Sequence, residues 1–175
     1  MPRRLAALIA ASLTMTACGS ETGLPPTLDA AADAQVVVLG GGGFAADETT
    51  VAFSAERAEA EAALAGVLGQ PQGRDENREC GAGPMQFTRY PGGFIANFQQ
   101  DRLVGWFYDE ANPKVALENG ITVGTPRERI AASPEFLLIE GSTLGEEFAL
   151  GEAVGGFLEG DKVASLYAGV NCFFR

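Results

Sequence analysis

GGFIANFQQDRLVGWFY, residues Gly92–Tyr108, predicts two β-strands joined by a polar turn. Short runs of aromatic and β-branched residues bounded by glycine and polar clusters are typical of a β-hairpin. The return strand contains Trp106, the only tryptophan of the chain. Alternation along the strand places Trp106 and Tyr108 on one face and Phe107 on the other. If they are exposed, Trp106 and Tyr108 would form a protein-binding surface, whereas a buried pair would belong to the core.

A second hairpin of the same kind is predicted at Val154–Tyr167, VGGFLEGDKVASLY. Each hairpin follows a predicted helix. The first helix covers Ser54–Leu68 with Ser54 as its N-cap, and the second is short and begins with a capping box formed by Thr125 and Glu128. The pattern therefore predicts an α+β fold made of two related half-domains, each a helix plus an antiparallel sheet.

The expected order along the chain is a signal peptide, a flexible tether, a first α+β half and a second α+β half. These segments occupy residues 1–17, 18–34, 35–118 and 119–175. Within the first half, Gln35–Leu39 and Met85–Tyr90 are predicted strands. Thr49–Val51 is expected to be loop or strand, and the polar residues 72–79 are expected to form a loop.

The N-terminus predicts export. Arg3 and Arg4 precede an apolar run that ends in small residues, which is the pattern of a secretory signal. Thr16-Ala17-Cys18 resembles the lipobox of bacterial lipoproteins, with Met15 where leucine is usual. The resemblance implies that Cys18 is lipidated and anchors the chain to a membrane, facing the periplasm of the bacterial envelope. Gly19 after the cysteine favours the outer membrane if the host is Gram-negative. An ordinary signal peptide is the alternative.

The other two cysteines, Cys80 and Cys172, lie in the exported part of the chain. Oxidising compartments favour pairing, so a Cys80–Cys172 disulfide is predicted. Two buried free thiols are the alternative. The bridge would tie the middle of the chain to its last strand.

Composition excludes several function classes. The chain has no histidine, which removes Ser-His-Asp triads, Cys-His dyads and most zinc sites, so neither a metal nor a cofactor is predicted. A net charge of −11 disfavours nucleic acid as a partner. Two pairs of adjacent acids remain, Asp109-Glu110 and Glu146-Glu147, and they are expected to be solvated rather than catalytic.

Gly40–Gly43 follows a predicted strand, which raises the alternative of a small-molecule-binding protein or a nucleotide-dependent enzyme. The dinucleotide fingerprint needs glycines that lead directly into a helix within a βαβ unit. The residues after Gly43 do not predict a helix there, so a flexible glycine turn is the preferred interpretation.

The mature domain resembles the fold shared by the β-lactamase inhibitor protein and the small outer-membrane assembly lipoproteins of the SmpA/OmlA type. The matching residues are Gly120–Ile130, at the start of the second helix, and Ser54–Pro71, a helix ending in Leu-Gly-x-Pro. The resemblance implies two helix-plus-sheet copies and binding through a sheet or loop surface. It supplies no catalytic residue. The expected function is therefore protein binding or envelope assembly by a lipid-anchored protein.

Overall fold

Two sheets and two helices make up the part of the chain that the computed structural model describes, residues 35–173. These residues belong to one compact unit. The elements are β1 (Val37–Gly40), β2 (Gly43–Ala46), β3 (Thr49–Ala52), α1 (Arg57–Leu68), β4 (Gly73–Asn77), β5 (Met85–Tyr90), β6 (Phe94–Gln99), β7 (Arg102–Tyr108), β8 (Val115–Leu117), α2 (Arg127–Ala131), β9 (Phe136–Leu138), β10 (Glu146–Leu150), β11 (Val154–Glu159) and β12 (Lys162–Gly169).

The larger sheet has eight antiparallel strands in the order β4-β5-β6-β7-β12-β11-β10-β9. Both predicted hairpins are present, as β6–β7 and β11–β12, and they meet at the centre of the sheet where β7 pairs with β12. Each hairpin has a register shift that marks a bulge, after Asn97 in β6 and after Phe157 in β11. A bulge bends the strand and increases its twist, so each hairpin curves next to its own turn.

The smaller sheet has four strands in the order β3-β2-β1-β8. β1, β2 and β3 are consecutive antiparallel strands, and β8 joins β1 in parallel through the pairs Val37–Val115 and Leu39–Leu117. The sequence interpretation missed β2 as a strand and β4 altogether. β4 has the sequence GRDEN, which carries no apolar alternation, and it is a strand because it pairs with β5 along its whole length.

The core lies between the larger sheet on one side and α1 with the smaller sheet on the other. Helix α1 contributes four buried residues, Ala60, Leu64, Val67 and Leu68. The largest buried side chains of the sheet are aromatic: Trp106, Tyr90, Tyr108, Phe94, Phe98 and Phe148. Glu61 also connects α1 to the sheet, because it accepts hydrogen bonds from Arg74 of β4 and from Thr88 of β5.

The predicted α+β fold of two helix-plus-sheet half-domains is wrong. The described residues are mostly β, with twelve strands against helices of 12 and 5 residues. Strands from both sides of the expected boundary at residue 118 belong to the same eight-stranded sheet. Because β7 pairs with β12, the strands that the sequence pattern assigns to two half-domains form a single sheet.

The predicted helix caps are also wrong, for a local reason. Ser54 has a positive φ of 79° and its N–H donates to Leu103, so it lies before α1 rather than at its N-cap, which is Glu56. Thr125 uses its hydroxyl oxygen to accept the Thr122 N–H. Both segments instead dock on a hairpin turn, and neither helix has a side-chain hydrogen bond at its N-cap.

The docking contacts occur twice. The Arg57 N–H donates to the Asp101 carbonyl at 2.8 Å, and the Arg127 N–H donates to the Asp161 carbonyl at the same distance. The turn of each hairpin thus accepts a hydrogen bond from the start of a helix. The likeness between the two hairpin regions is local, and it is found within one continuous sheet.

Candidate functional site

The C-terminal tail, residues 170–173, lies over the outer face of the larger sheet, which we define as the face opposite α1. Gly169 ends β12 with a positive φ of 67°, and the Val170 N–H then donates to the Val104 carbonyl at 2.8 Å. A Cβ at Gly105 would collide with the Val170 carbonyl oxygen. Glycine at position 105 therefore allows the tail to turn back and cross the sheet.

Asn97 holds the tail in place. Its side-chain Nδ2 donates to the Val170 carbonyl at 3.0 Å and to the Asn171 Oδ1 at 2.8 Å. Asn97 is 2% exposed, and its Oδ1 has no hydrogen-bond partner among the described residues. Because a buried amide oxygen is costly to leave unpaired, this residue marks a polar point under the tail where a donor would be stabilised.

Cys172 lies in the tail at disulfide distance from Cys80, with Cα atoms 5.3 Å apart, as the sequence predicts. Asn77, at the end of β4, is placed with its Nδ2 3.5 Å from the Cys172 Sγ. The pair joins the tail to the loop before β5. It closes a chain segment with a sequence separation of 92 residues.

An open groove of about 490 Å³, which we call the tail groove, lies between the tail and the sheet. The groove is lined by apolar side chains, by side-chain amides and by the ion pair of Arg89 with Asp75, at 2.9 Å. The lining residues are Asp75, Glu76, Asn77, Phe87, Arg89, Ile95, Asn97, Phe107, Asn171, Cys172 and Phe173. An apolar floor with polar groups at its margin has the composition of a protein-binding surface.

An aromatic cluster closes one end of the tail groove. The ring of Phe173 lies edge-on to Phe107, Phe157 and Tyr167, with centroid distances of 6.2, 5.6 and 4.9 Å. All four residues are half-buried. Edge-to-face pairs of this kind stabilise by about 0.5–1.5 kcal/mol each, so Phe173 fixes the tail on the sheet together with Asn97.

Trp106 and Tyr108 do not form a surface. Both are fully buried, which corrects the prediction that they could bind a partner. The Trp106 Nε1 donates to the carbonyls of Gly40 and Gly43 at 3.0 and 3.1 Å. Tyr108 accepts the Asn112 N–H through its hydroxyl at 2.8 Å. The even-numbered aromatics of β7 therefore face the core, and Phe107 faces outward into the tail groove.

The glycine turn after β1 has a structural role. Its carbonyls at Gly40 and Gly43 accept from Trp106, and Gly41 lies so close to Ala153 that a Cβ there would collide with that residue. The turn leads into β2, and a dinucleotide site requires a helix at this point. The geometry of Gly40–Gly43 is accordingly that of a hairpin turn against the larger sheet.

Asp109, Glu110 and Glu146 are exposed, as the sequence predicts, and Glu147 is the exception. Glu147 is completely buried and accepts hydrogen bonds from Ser142, at 2.6 Å, and from Tyr167. Burial, followed by the neighbouring Glu110 carboxylate, raises the pKa of Asp109. Among residues 35–173, no group of three or more His, Cys, Asp or Glu side chains is arranged to hold a metal ion.

The remaining predicted features lie outside the described residues. They are the signal peptide at 1–17, the tether at 18–34 and the lipidation site Cys18. Within the described part of the chain, neither helix has the length and apolar character needed to cross a bilayer.

Comparison with known proteins gives little further information. No protein-family model matches the chain, and no curated protein matches it. The chain is similar to the uncharacterized protein yfeY from Escherichia coli, whose crystal structure aligns with a TM-score of 0.44 and 12% sequence identity. The alignment covers 63% of this chain and 88% of that one.

Proposed function

We propose that this chain is a lipid-anchored, exported bacterial envelope protein that acts by binding another protein at the tail groove. The observation that carries the proposal is the groove itself. Its floor of Phe87, Ile95 and Phe107 is half-buried, and the tail beside it is held at disulfide distance from Cys80. Half-exposed apolar side chains around buried amides fit a protein segment better than a small, fully enclosed ligand.

The sequence supports the envelope part of the proposal. A basic start, an apolar run and a cysteine after small residues favour lipidation at Cys18, and the Cys80–Cys172 pair suits an oxidising compartment. Several acyl chains would give stable anchoring, since about 0.8 kcal/mol accrues per buried methylene. Residues that resemble the small outer-membrane assembly lipoproteins favour a role in envelope assembly.

The groove is tested by crosslinking in intact cells. Phe87→Glu places a carboxylate on the groove floor, and Thr49→Glu places the same charge on an exposed residue of the smaller sheet. A crosslinked partner that is lost in Phe87→Glu and retained in Thr49→Glu and wild type supports the proposal. Equal crosslinking in all three proteins would locate binding elsewhere and overturn it.

The anchor is tested separately by Cys18→Ser. Metabolic labelling with a fatty acid should label wild type and fail to label the variant, and the variant should leave the membrane fraction. A labelled or membrane-bound Cys18→Ser protein would contradict lipidation at this residue. The result is independent of the groove, because Cys18 lies outside the folded unit that contains it.

A further inference from the structure

The two outer edges of the eight-stranded sheet differ in chemistry. β4 carries Arg74, Asp75 and Glu76, and charged residues of this kind protect an edge strand from pairing with other chains. β9 has the sequence FLL, and Leu137 and Leu138 are 65% and 39% exposed. They are two of the three exposed large hydrophobic residues among residues 35–173. Exposed apolar surface is thus concentrated on the unprotected edge.

The backbone of β9 has hydrogen-bonding groups on its free side. The Ile139 N–H donates to the Glu147 carbonyl at 2.8 Å, so this pair is hydrogen-bonded. Because hydrogen-bonded and non-hydrogen-bonded pairs alternate in an antiparallel ladder, Leu137 also faces β10 with its peptide groups. Leu138 then directs its N–H and C=O away from β10. The edge therefore has a donor and an acceptor available for another strand.

The side chains next to β9 define the chemistry of such a strand. Leu137 lies on the outer face and Leu138 on the opposite face, so an added strand needs apolar residues on both faces. Glu135 and Glu140 are exposed on either side of β9, and neither takes part in the ion pairs of the described residues. A segment with basic residues about five positions apart would place a cation near each carboxylate.

We propose that the β9 edge binds, by strand addition, an extended segment of another protein in which a short apolar run is flanked by lysine or arginine. Main-chain hydrogen bonds to Leu138 provide affinity, and the apolar and charged contacts provide specificity. A second copy of this chain is disfavoured as the occupant, because each copy has a net charge of −11. This edge is separate from the tail groove, whose lining residues belong to the other half of the sheet and to the tail.

The proposal is tested with a capped, fluorescein-labelled peptide, Lys-Thr-Val-Ile-Thr-Lys, whose anisotropy is measured against the purified protein in its oxidised form. Two control peptides accompany it: one with glutamate at both ends, and one with an N-methyl group on the valine amide. That amide lies opposite Leu138 when the peptide adds antiparallel with its two lysines next to Glu140 and Glu135. We expect saturable binding of the lysine peptide that weakens as salt is added. Each control peptide should bind at least tenfold more weakly.

Leu138→Pro and Leu138→Thr form the matched pair of variants. Both remove the leucine side chain, but only proline removes the N–H, and proline is tolerated where that N–H does not contribute to the ladder. Thermal unfolding of both variants checks that the sheet is intact. We expect Leu138→Pro to bind the lysine peptide at least tenfold more weakly than Leu138→Thr.

Three results would overturn the proposal: no binding of the lysine peptide at millimolar concentration, equal binding of the N-methylated peptide, or equal binding by the two folded variants. A concentration-dependent dimer in sedimentation experiments that Leu138→Pro abolishes would assign the edge to a second copy instead, which also overturns it. Phe87→Glu should leave peptide binding unchanged. Failure at the β9 edge and failure at the tail groove are therefore distinguishable.

Discussion

Replacing Trp106 by phenylalanine should destabilise the protein by about 2–4 kcal/mol. The indole Nε1 donates to the carbonyls of Gly40 and Gly43, and Trp106 is fully buried. Removing the donor takes a hydrogen bond from both carbonyl oxygens, and the one at Gly43 is buried, which costs about 1–3 kcal/mol. The missing ring adds a cavity cost of about 1 kcal/mol. For a folded unit of this size, the midpoint of thermal unfolding should fall by roughly 6–15 °C.

The assay is urea unfolding followed by far-UV circular dichroism, because the variant has no tryptophan. In wild type, Trp106 fluorescence should be blue-shifted and resistant to acrylamide, and it should shift to the red in the same transition that circular dichroism reports. Phe107→Leu is the control, since Phe107 is the half-buried neighbour on the outer face, and it should cost less than about 1.5 kcal/mol. A Trp106→Phe protein within about 0.5 kcal/mol of wild type would refute the reasoning.

Three other perturbations probe the tail, the glycine turn and the helix contact. Replacing Cys80 and Cys172 together by serine should lower the free energy of unfolding by about 4–5 kcal/mol in denaturant titrations, because the pair closes a long loop. Reduced wild type should be as stable as the variant. A loss under about 1 kcal/mol would contradict the pairing. Gly43→Ala should lower the thermal midpoint by several degrees, because Gly43 has a φ of 146° and a Cβ there would collide with the next strand. Gly42→Ala is the control and should change the midpoint little, because a Cβ at Gly42 meets nothing within 4 Å. Equal shifts in the two variants would be evidence against this geometry. The hydrogen bond from the Arg74 guanidinium lowers the pKa of Glu61 from its ordinary 4.5. The stability that wild type gains over Glu61→Gln should therefore be complete above pH 4.5 and should decrease as the pH falls through the lowered folded-state pKa. A difference in stability that does not depend on pH would show that the charge does not contribute.

Residue patterns alone predicted the central hairpins, because their aromatic residues alternate with the period of a strand. The same signal located β5. It missed β4, whose strand conformation depends on partners: Asp75 pairs with Arg89 across the ladder, and Arg74 reaches Glu61 of α1. A polar edge strand has no periodicity of its own, so its position is decided by the neighbouring strand and helix.

The candidate site was predictable only in part. The Cys80–Cys172 pair followed from the number of cysteines and the predicted export, and the structure places the two residues together. The tail groove did not follow, because Asn97 has the sequence context of an ordinary strand residue. A signal was present in Gly105, since glycine inside an aromatic strand often marks the close approach of another backbone. Reading that glycine in this way would have predicted that a segment crosses β7.

The parallel pairing of β1 with β8 has a consequence for the order of assembly. Between the two strands, the chain forms β2, β3, α1 and the consecutive strands β4 to β7. β4 to β7 need only contacts between sequence neighbours, whereas β1 becomes an internal strand only when Val115–Leu117 arrives beside it. Closing so long a crossover is entropically slow, so the smaller sheet should gain hydrogen-exchange protection after the hairpin at Gly92–Tyr108. Val37 and Leu39 would then be late reporters of folding, although they lie near the beginning of the folded unit.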